Sequence, residues 1–265
     1  MATRIALGIE YDGSGFLGWQ TQPGGGTVQD ALEAALSAVA DAPIGVTCAG
    51  RTDRGVHARA QVVHFDTEAV RPDSAWVRGV NALLPAGAAV LWSRRVAADF
   101  HARYSALSRS YRYVLLNRPI RPALAARYAG WHHAPLDLET MRQAAAYLIG
   151  EHDFSAFRSA ECQAKSALRT LHSIAIERSG ERVDFTLRAN AWLQHMVRNI
   201  VGTLVYVGKG RHLPQWAREV LESRDRSLAA PTFGPEGLYL ETVEYDRRWS
   251  LPIADAQPMA LPVES

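Results

Sequence analysis

The order in which strand-like and helix-like periodicity alternates limits the fold of this chain more than any other feature. Residues 4–11 alternate apolar and polar side chains, which predicts a half-buried strand. Residues 28–39 repeat apolar side chains at helical spacing after Thr27, a candidate N-cap. The next predicted elements are two strands, a helix and a strand, over residues 44–50, 61–65, 72–85 and 89–96. This order of strand, helix, strand, strand, helix and strand predicts a split βαβ unit.

A second series of predicted elements begins near residue 109. Residues 109–116 alternate, which places Tyr111 and Tyr113 on one face of a strand and Ser110 and Arg112 on the other. The further elements are a helix, a hairpin, a second helix and a last strand, over residues 138–150, 169–189, 191–207 and 238–243. We therefore expect an α+β fold with mainly antiparallel sheets in two ferredoxin-like lobes. The lobes are assigned to residues 1–106 and 107–246, and a C-terminal tail to residues 247–265.

Chain length and the lengths of the apolar runs argue against several classes of protein. The chain has 265 residues and is 48% hydrophobic, which is enough for two lobes with a proper core. Its longest apolar runs fall well short of the about 20 residues that a membrane-spanning helix needs, and its first residues lead into a strand without a secretory signal. Cys48 and Cys162 are far apart and lack metal-binding spacing, so neither a disulfide framework nor a structural zinc site is supported. We expect a soluble cytoplasmic protein with reduced cysteines.

The basic residues of this chain are almost all arginine. The net charge is only +2, but 27 of the 29 basic residues are arginine, and the two lysines are Lys165 and Lys209. The planar guanidinium group suits phosphate and stacks on bases, which favours a nucleic acid as partner. A genome rich in arginine codons explains the same bias, so composition leaves both explanations open.

The segment from Arg51 to Ala58 gathers ionisable side chains and a glycine between two apolar runs. One interpretation is a turn that ends a strand, with Asp53 and Gly55 in turn positions and Arg51 as a local ion-pair partner. Another is functional: Arg51 and Asp53 are two residues apart and share one face of an extended chain, so the guanidinium would keep the carboxylate ionised and oriented. A carboxylate held in this way can serve as a nucleophile or general base. Spacing alone favours the turn.

No other motif in the sequence indicates an alternative catalytic residue. The segment from Gly13 to Gly18 matches the glycine pattern of dinucleotide-binding folds, but no helix opens at Gly18, so we interpret it as a turn and a loop. The nine histidines show no metal-binding spacing, and no Gly-x-Ser-x-Gly motif is present. Elimination therefore directs attention to Asp53.

The segments Arg51–Ala58 and Gln61–Phe65 resemble the catalytic motif of the tRNA pseudouridine synthase A family. Further motifs of that family follow in the same order, in Tyr11–Gly13, Gly18–Gln20, Asp99–Arg103, Tyr111–Tyr113, His195–Gly202 and Glu236–Leu240. The resemblance covers about residues 4–245. It implies the pseudouridine synthase fold, with a catalytic cleft between two lobes, and isomerisation of uridines 38, 39 and 40 in the anticodon arm of tRNA.

The same resemblance implies roles for individual residues. Asp53 would be the catalytic aspartate and Arg51 its ion-pair partner. Tyr111 would lie against the target uracil, and Leu238 would form an apolar wall of the pocket. The resemblance also implies a homodimer. An isomerisation oxidises nothing and adds no group, so we expect neither a cofactor nor a metal.

Binding of RNA is expected to depend mainly on phosphates and shape, because three neighbouring positions in varied tRNAs cannot share one code of base edges. The candidate contacts are Arg54, Arg59, Arg109, Arg112 and Arg198. Two rival functions stay open. One is a catalytically silent RNA-binding protein on the same scaffold, and the other is a nucleotide-dependent oxidoreductase, suggested only by the glycine run.

Overall fold

A computed structural model describes residues 2–252 and divides the chain into two compact units. The first unit contains the residues up to Leu107 and the segment that begins at Tyr239, and the second contains Ser108–Leu238. Both units combine helices with mainly antiparallel strands. The predicted α+β class is therefore confirmed. Residues 253–265 of the predicted tail lie outside the described residues.

The first unit has the strand order of a ferredoxin-like fold. Its elements are β1 (Thr3–Tyr11), α1 (Val28–Ala40), β2 (Thr47–Cys48), β3 (His57–Thr67) and β4 (Ala88–Val96). It also contains β10 (Leu238–Tyr245) from Tyr239 onwards, a strand numbered by its place in the chain. β1 lies between β4 and β3 and is antiparallel to both, and β2 pairs with β3 through Cys48 and Val63. The order β4-β1-β3-β2 is the predicted split βαβ arrangement. β10 adds a short parallel pairing, with Tyr239 opposite His57.

Helix α1 forms where the sequence places its cap. Thr27 accepts a hydrogen bond from the Asp30 backbone N–H at 3.2 Å, and the Asp30 carboxylate accepts one from the Thr27 backbone N–H at 3.2 Å. This capping box satisfies two backbone donors that the first turn leaves unpaired. The helix ends at Ala40, and Asp41 takes a left-handed conformation with φ of 56°. The predicted start and end of α1 are thus confirmed.

Strand β1 is buried on both faces, so the expectation of a half-buried strand is wrong. Ile5, Leu7 and Ile9 are buried on one face, and Ala6 on the other face belongs to a second apolar cluster. That cluster contains Ala6, Ala49, Val62, Phe100, Ala102 and Trp249. The small side chain of Ala6 leaves room for these aromatic groups, which explains why sequence alternation did not reveal the second layer.

Two predicted elements of the first unit are shorter than expected. Only Thr47 and Cys48 of residues 44–50 pair as a strand, because side chains of α1 bind the preceding backbone: Ser37 accepts from the Ile44 N–H at 2.9 Å, and Glu33 from the Val46 N–H at 2.9 Å. The helix expected from residue 72 contains a π-helical segment, Ala75–Gly79, and helical structure ends near residue 81. The helical spacing of residues 72–85 predicts that Leu83 faces inward, but Leu83 follows the end of the helix and is 55% exposed, so that prediction is wrong.

The second unit repeats the alternation of strands and helices. Its elements are β5 (Ala106–Asn117), β6 (Gly130–His132), α2 (Leu138–Ala146), β7 (Gly150–Asp153), β8 (Leu168–Ser179), β9 (Arg182–Ala189), α3 (Met196–Gly208) and α4 (Trp216–Ser223). β9 pairs antiparallel with both β5 and β8, β7 pairs antiparallel with β8, and β6 pairs parallel with β5. The hairpin predicted around Gly180 is confirmed. The short strands β6 and β7 were missed because three or four residues carry too little alternation.

Helix α3 begins five residues later than the pattern predicts. His195 adopts a left-handed conformation with φ of 64°, which interrupts helical geometry immediately before Met196. From Met196 onwards almost every residue of α3 is buried. Gly208 lets α3 approach α2 closely, because a Cβ at this position would clash with the Met141 side chain.

Candidate active site

Asp53 occupies the first position of a tight turn between β2 and β3. The Val56 N–H donates to the Asp53 carbonyl at 3.1 Å, and Gly55 has a φ of 80°, which favours glycine. Asp53 is half-buried, whereas Thr52 and Val56 on either side are buried. The turn interpretation of the sequence is therefore correct for the backbone. A turn fixed at both ends is also a suitable platform for a reactive carboxylate, so the two interpretations are compatible.

The chain before Asp53 is anchored by buried hydrogen bonds. The hydroxyls of Tyr11 and Thr52 are 2.8 Å apart, and the Trp19 N–H donates to the Thr52 carbonyl at 3.0 Å. The Gln61 side chain, which is fully buried, donates to the Gly50 carbonyl at 2.6 Å and accepts from the Gly50 N–H at 3.3 Å. The Gln61 amide thus provides hydrogen-bond partners for both the N–H and the carbonyl of Gly50.

The chain after Asp53 is anchored through His57. The Gly13 N–H donates to His57 Nδ1 at 3.1 Å, and the imidazole stacks on Tyr239 with ring centroids 4.7 Å apart. The Asp12 carboxylate also lies 3.2 Å from Nδ1. His57 Nδ1 thus meets both a backbone N–H and a carboxylate oxygen of the segment that follows β1.

The glycine run near residue 15 packs against this turn. Gly13–Gly15 forms a short 3-10 turn, and no helix follows until α1 begins at Val28, so the prediction of a turn and a loop is confirmed. A Cβ at Gly13 would clash with the Val56 carbonyl. Gly18 has a φ of 97°, and a Cβ there would lie 3.1 Å from the Thr52 carbonyl oxygen. These glycines permit close approach to the backbone on both sides of Asp53.

The arginines near Asp53 in sequence differ in exposure. Arg51 is exposed. Arg54 is also exposed. Arg59 is half-buried and forms an ion pair with Glu241 of β10, with 24% of the Arg59 side chain and 11% of the Glu241 side chain exposed. Of these three arginines, Arg51 and Arg54 present the more accessible charges.

Tyr111 and Leu238 both belong to the second unit. Tyr111 lies on β5 opposite Leu187 of β9, is 6% exposed, and meets Trp192 edge to face with ring centroids 5.5 Å apart. Leu238 is 5% exposed. The segment before Leu238 is tied to β5, because the Tyr113 hydroxyl donates to the Gly234 carbonyl at 2.9 Å and the Val114 N–H donates to the Gly237 carbonyl at 2.8 Å. Strand β5, which carries Tyr111, therefore also holds the chain segment that leads into Leu238.

The predicted RNA contacts that lie in the second unit are buried or half-buried. Arg109 and Arg112 are each 7% exposed, and Arg109 donates to the Asn190 carbonyl at 3.0 Å. Arg198 is half-buried and donates to the Phe233 carbonyl at 2.8 Å. Their burial gives them structural contacts that sequence reasoning did not foresee.

Sequence reasoning also missed the residues that support the turn. Gln61, Tyr11 and His57 were noted only as parts of motifs, without a role. A glutamine that opens the apolar run Gln61–Phe65 was the available signal, because a polar side chain in a buried strand needs partners. Within residues 2–252, no helix is long and apolar enough to cross a bilayer, and no group of three or more His, Cys, Asp or Glu is suited to a metal ion.

Comparisons with known proteins agree on one family. A family model described as tRNA pseudouridine synthase matches residues 8–105 and 144–246. The tRNA pseudouridine synthase A of Dechloromonas aromatica is 59% identical over 249 residues, which cover 94% of this chain and 95% of that protein. The protein of the same name from Methylobacillus flagellatus is 58% identical over 94% of this chain and 95% of that protein.

Among solved structures, a Cbf5-Nop10-Gar1 complex covers 76% of this chain and 45% of the matched chain, with 12% identity and a TM-score of 0.36. The matched segments of the family model contain the Asp53 turn, its anchoring residues and Leu238, whereas Tyr111 lies between them.

Proposed function

This chain belongs to the tRNA pseudouridine synthase family, and we propose that Asp53 catalyses its reaction, the isomerisation of uridine to pseudouridine at positions 38, 39 and 40 in the anticodon arm of tRNA. The observation that carries the assignment to Asp53 is its turn. Anchors on both sides hold the backbone of a half-buried carboxylate, within a segment that the family model matches.

The reaction balances within one nucleotide. The bond between N1 of uracil and C1′ of ribose breaks, the base turns, and a bond between C5 and C1′ forms. The proton leaves C5, and N1 of the product carries a proton. No group enters from outside and no atom is oxidised, so a single carboxylate beside the sugar meets the chemical need.

Two roles for the Asp53 carboxylate fit this balance. It can attack the ribose or the base and form a covalent intermediate, or it can remove a ribose proton to give a glycal. Both roles require an ionised carboxylate close to the sugar. Arg51, two residues away, is proposed to support the ionised form, and the exposure of its guanidinium leaves it accessible to the bound nucleotide.

Tyr111 and Leu238 are proposed to bind the uracil. Extrusion of the uridine from its stack costs a few kcal/mol, and stacking on an aromatic side chain returns roughly 1–3 kcal/mol per base. The Tyr111 hydroxyl is further proposed to relay the C5 proton. Leu238 supplies an apolar surface of the pocket.

Substitution of Asp53 tests the assignment directly. Asp53→Asn should keep the fold and the affinity for tRNA while abolishing tritium release from tRNA labelled at C5 of uridine. Asp41→Asn is the matched control, because Asp41 is exposed and its left-handed conformation suits asparagine. Clear tritium release by Asp53→Asn, at control levels of binding, would refute the role of Asp53.

Substitution of Tyr111 separates stacking from proton relay. Tyr111→Phe removes only the hydroxyl, so binding should persist while product formation drops. Tyr104→Phe is the control, because Tyr104 is 76% exposed. Unchanged rates for Tyr111→Phe would remove the relay role and leave the stacking role in place.

Phosphate contacts are proposed to dominate the affinity for tRNA. Arg54 is the best placed of the proposed contacts because it is exposed, and Arg59, Arg109, Arg112 and Arg198 complete the set. Each contact with a phosphate should contribute about 0.7–0.9 to the slope of log affinity against log salt. A flat salt response would contradict this proposal.

The proposal also includes a homodimer in the cytoplasm, on the family resemblance alone. Sedimentation equilibrium of the full chain should give twice the mass of 29.1 kDa. Cell fractionation should place the protein with the soluble tRNA. A monomer at micromolar concentration would contradict the dimer without affecting the proposed reaction.

A further inference from the structure

A group of three aromatic rings and two cations lies where α3 joins α4, in a part of the second unit that the proposed reaction does not use. We name this group the aromatic platform, and it consists of Tyr206, Lys209, Arg211, His212 and Trp216. The rings are nearly parallel: His212 stacks on Trp216 at 3.8 Å and 12°, and Tyr206 lies 6.4 Å from His212 at 11°. All three rings are half-buried and retain accessible surface.

The two cations lie over the platform. Lys209 Nζ is 3.8 Å from the centroid of the Tyr206 ring, and the Arg211 guanidinium carbon is 5.2 Å from the same centroid. Residues 206–218 include three basic side chains and no acidic one. Burial, helped by the charges of Arg211 and Lys209, lowers the pKa of His212, against an opposing effect of Glu219. The platform therefore joins neutral aromatic faces to a local positive charge at neutral pH.

The backbone fixes this arrangement before any ligand binds. The Gly210 N–H donates to the Val207 carbonyl at 2.8 Å, and the Arg211 N–H donates to the Tyr206 carbonyl at 3.1 Å. Gly210 has a φ of 74°, and a Cβ there would meet no atom within 4 Å. The Trp216 N–H donates to the Leu213 carbonyl at 3.0 Å, while the Leu213 side chain is 68% exposed. A preorganised surface of this kind loses little freedom on binding.

Core packing alone does not account for the platform. Trp19 and Phe154 of the core are less than 2% exposed, and their ring contacts with Tyr11, His152 and Phe157 are tilted or edge-on. The platform instead combines parallel, accessible rings with cations. Flat aromatic faces beside cations are typical of surfaces that bind nucleic acid, since rings stack on bases and cations contact phosphates.

We propose that the aromatic platform is a second tRNA-binding surface, on which Lys209 and Arg211 contact phosphates and the ring faces receive an unpaired base. This inference rests on the proposed function for its ligand, a tRNA. It adds a contact outside the residues assigned to the reaction, so the platform should affect the affinity for tRNA and leave the chemical step unchanged.

A pair of charge-matched double variants tests the cations. Lys209→Gln with Arg211→Gln removes two charges from the platform, and Lys165→Gln with Arg121→Gln removes two from exposed positions elsewhere in the same unit. Affinity of the full chain for an unmodified tRNA transcript is measured between 0.05 and 0.2 M salt. Loss of two phosphate contacts should reduce the magnitude of the salt slope by about 1.4–1.8 and weaken binding roughly 25- to 60-fold at 0.1 M salt. Maximal tritium release at saturating tRNA should equal that of the wild type.

A variant of the rings tests stacking separately. Trp216→Leu should weaken binding roughly 5- to 150-fold with an unchanged salt slope, because stacking is not electrostatic. Thermal melting checks its fold, and His212→Leu replaces it if the melting temperature falls. An affinity and salt slope equal to those of the control pair would overturn the proposal.

The remaining outcomes are also decisive. If the charge variants alter the sedimentation mass and not the affinity for tRNA, the platform contacts a second copy of the chain, and the proposal is wrong. Failure of the proposed function would look different, because the wild type itself would then release no tritium.

Discussion

Gln61 offers the sharpest test of how the fold holds the Asp53 turn. Its amide makes two hydrogen bonds with Gly50, at 2.6 and 3.3 Å, and a third contact with the Tyr11 hydroxyl at 3.4 Å. Gln61→Met keeps the length of the side chain and removes every hydrogen bond. A backbone group left unsatisfied costs about 1–3 kcal/mol when buried, and Gly50 is half-buried. We therefore expect Gln61→Met, which leaves both backbone groups of Gly50 without the Gln61 amide, to lower the free energy of unfolding by about 2–3 kcal/mol.

The same substitution should slow the reaction without weakening substrate binding. Gln61 is fully buried and cannot touch RNA, so KM should stay unchanged. Gly50 is three residues from Asp53, and a misplacement of about 1 Å at a reacting group costs on the order of 100-fold in rate. We expect kcat to fall roughly 10- to 100-fold.

Urea unfolding and tritium-release kinetics measure the two effects of Gln61→Met. Gln143→Met is the control, because Gln143 is exposed on α2 and its replacement should change stability by less than about 0.5 kcal/mol. If Gln61→Met matches this control in both stability and kcat, the anchoring role of Gln61 is wrong. A rise in KM at constant kcat would also contradict it, since that result places Gln61 in substrate binding.

Three further predictions concern buried polar groups. Burial lowers the pKa of His64 to about 4, so as pH falls from about 6.5 towards 4 the unfolded chain binds a proton that the folded chain does not, and stability should drop by up to about 3 kcal/mol. Urea unfolding at pH 7 and 4.5 checks this, and an equal pH dependence in His64→Asn would refute it. Asn199 is fully buried and makes three side-chain hydrogen bonds, at 2.7, 3.1 and 2.7 Å, so Asn199→Ala should cost about 3–5 kcal/mol in urea unfolding, and a loss below about 1 kcal/mol would contradict the network. Arg59→Gln removes the ion pair with Glu241 and should lower the free energy of unfolding by about 1.5–3 kcal/mol, while it changes the salt slope for tRNA less than Arg54→Gln does. The opposite ranking of the slopes would show that Arg59 is the phosphate contact.

Much of the fold was predictable because its signals are local. The cap at Thr27, the hairpin around Gly180 and the alternation that predicts β1 all depend on residues close in sequence. The predictions were wrong where the local structure depends on contacts between residues that are distant in sequence. Side chains of α1 bind the backbone N–H groups of Ile44 and Val46, and this shortens the predicted strand before the Asp53 turn to two residues.

The turn at Asp53 was predictable from the sequence, but the residues that support it were not. Asp53 and Gly55 predicted a turn, and the Val56 N–H closes it on the Asp53 carbonyl. The actual anchors, Gln61 and Tyr11, are eight or more residues away from Asp53 and approach it only through the pairing of β1 with β3.

The glycines near residue 15 show that a residue can belong to a sequence motif without taking part in the chemistry. Gly13 and Gly18 match the glycine pattern of dinucleotide-binding folds in sequence, but their lack of side chains lets the backbone on either side of Asp53 approach closely. An alanine at Gly13 would therefore displace the turn and lower activity although no atom of Gly13 reacts. Loss of activity alone cannot distinguish such a residue from a catalytic one. The distinction requires two measurements, since a support residue changes stability and kcat together, whereas Asp53→Asn should change kcat alone.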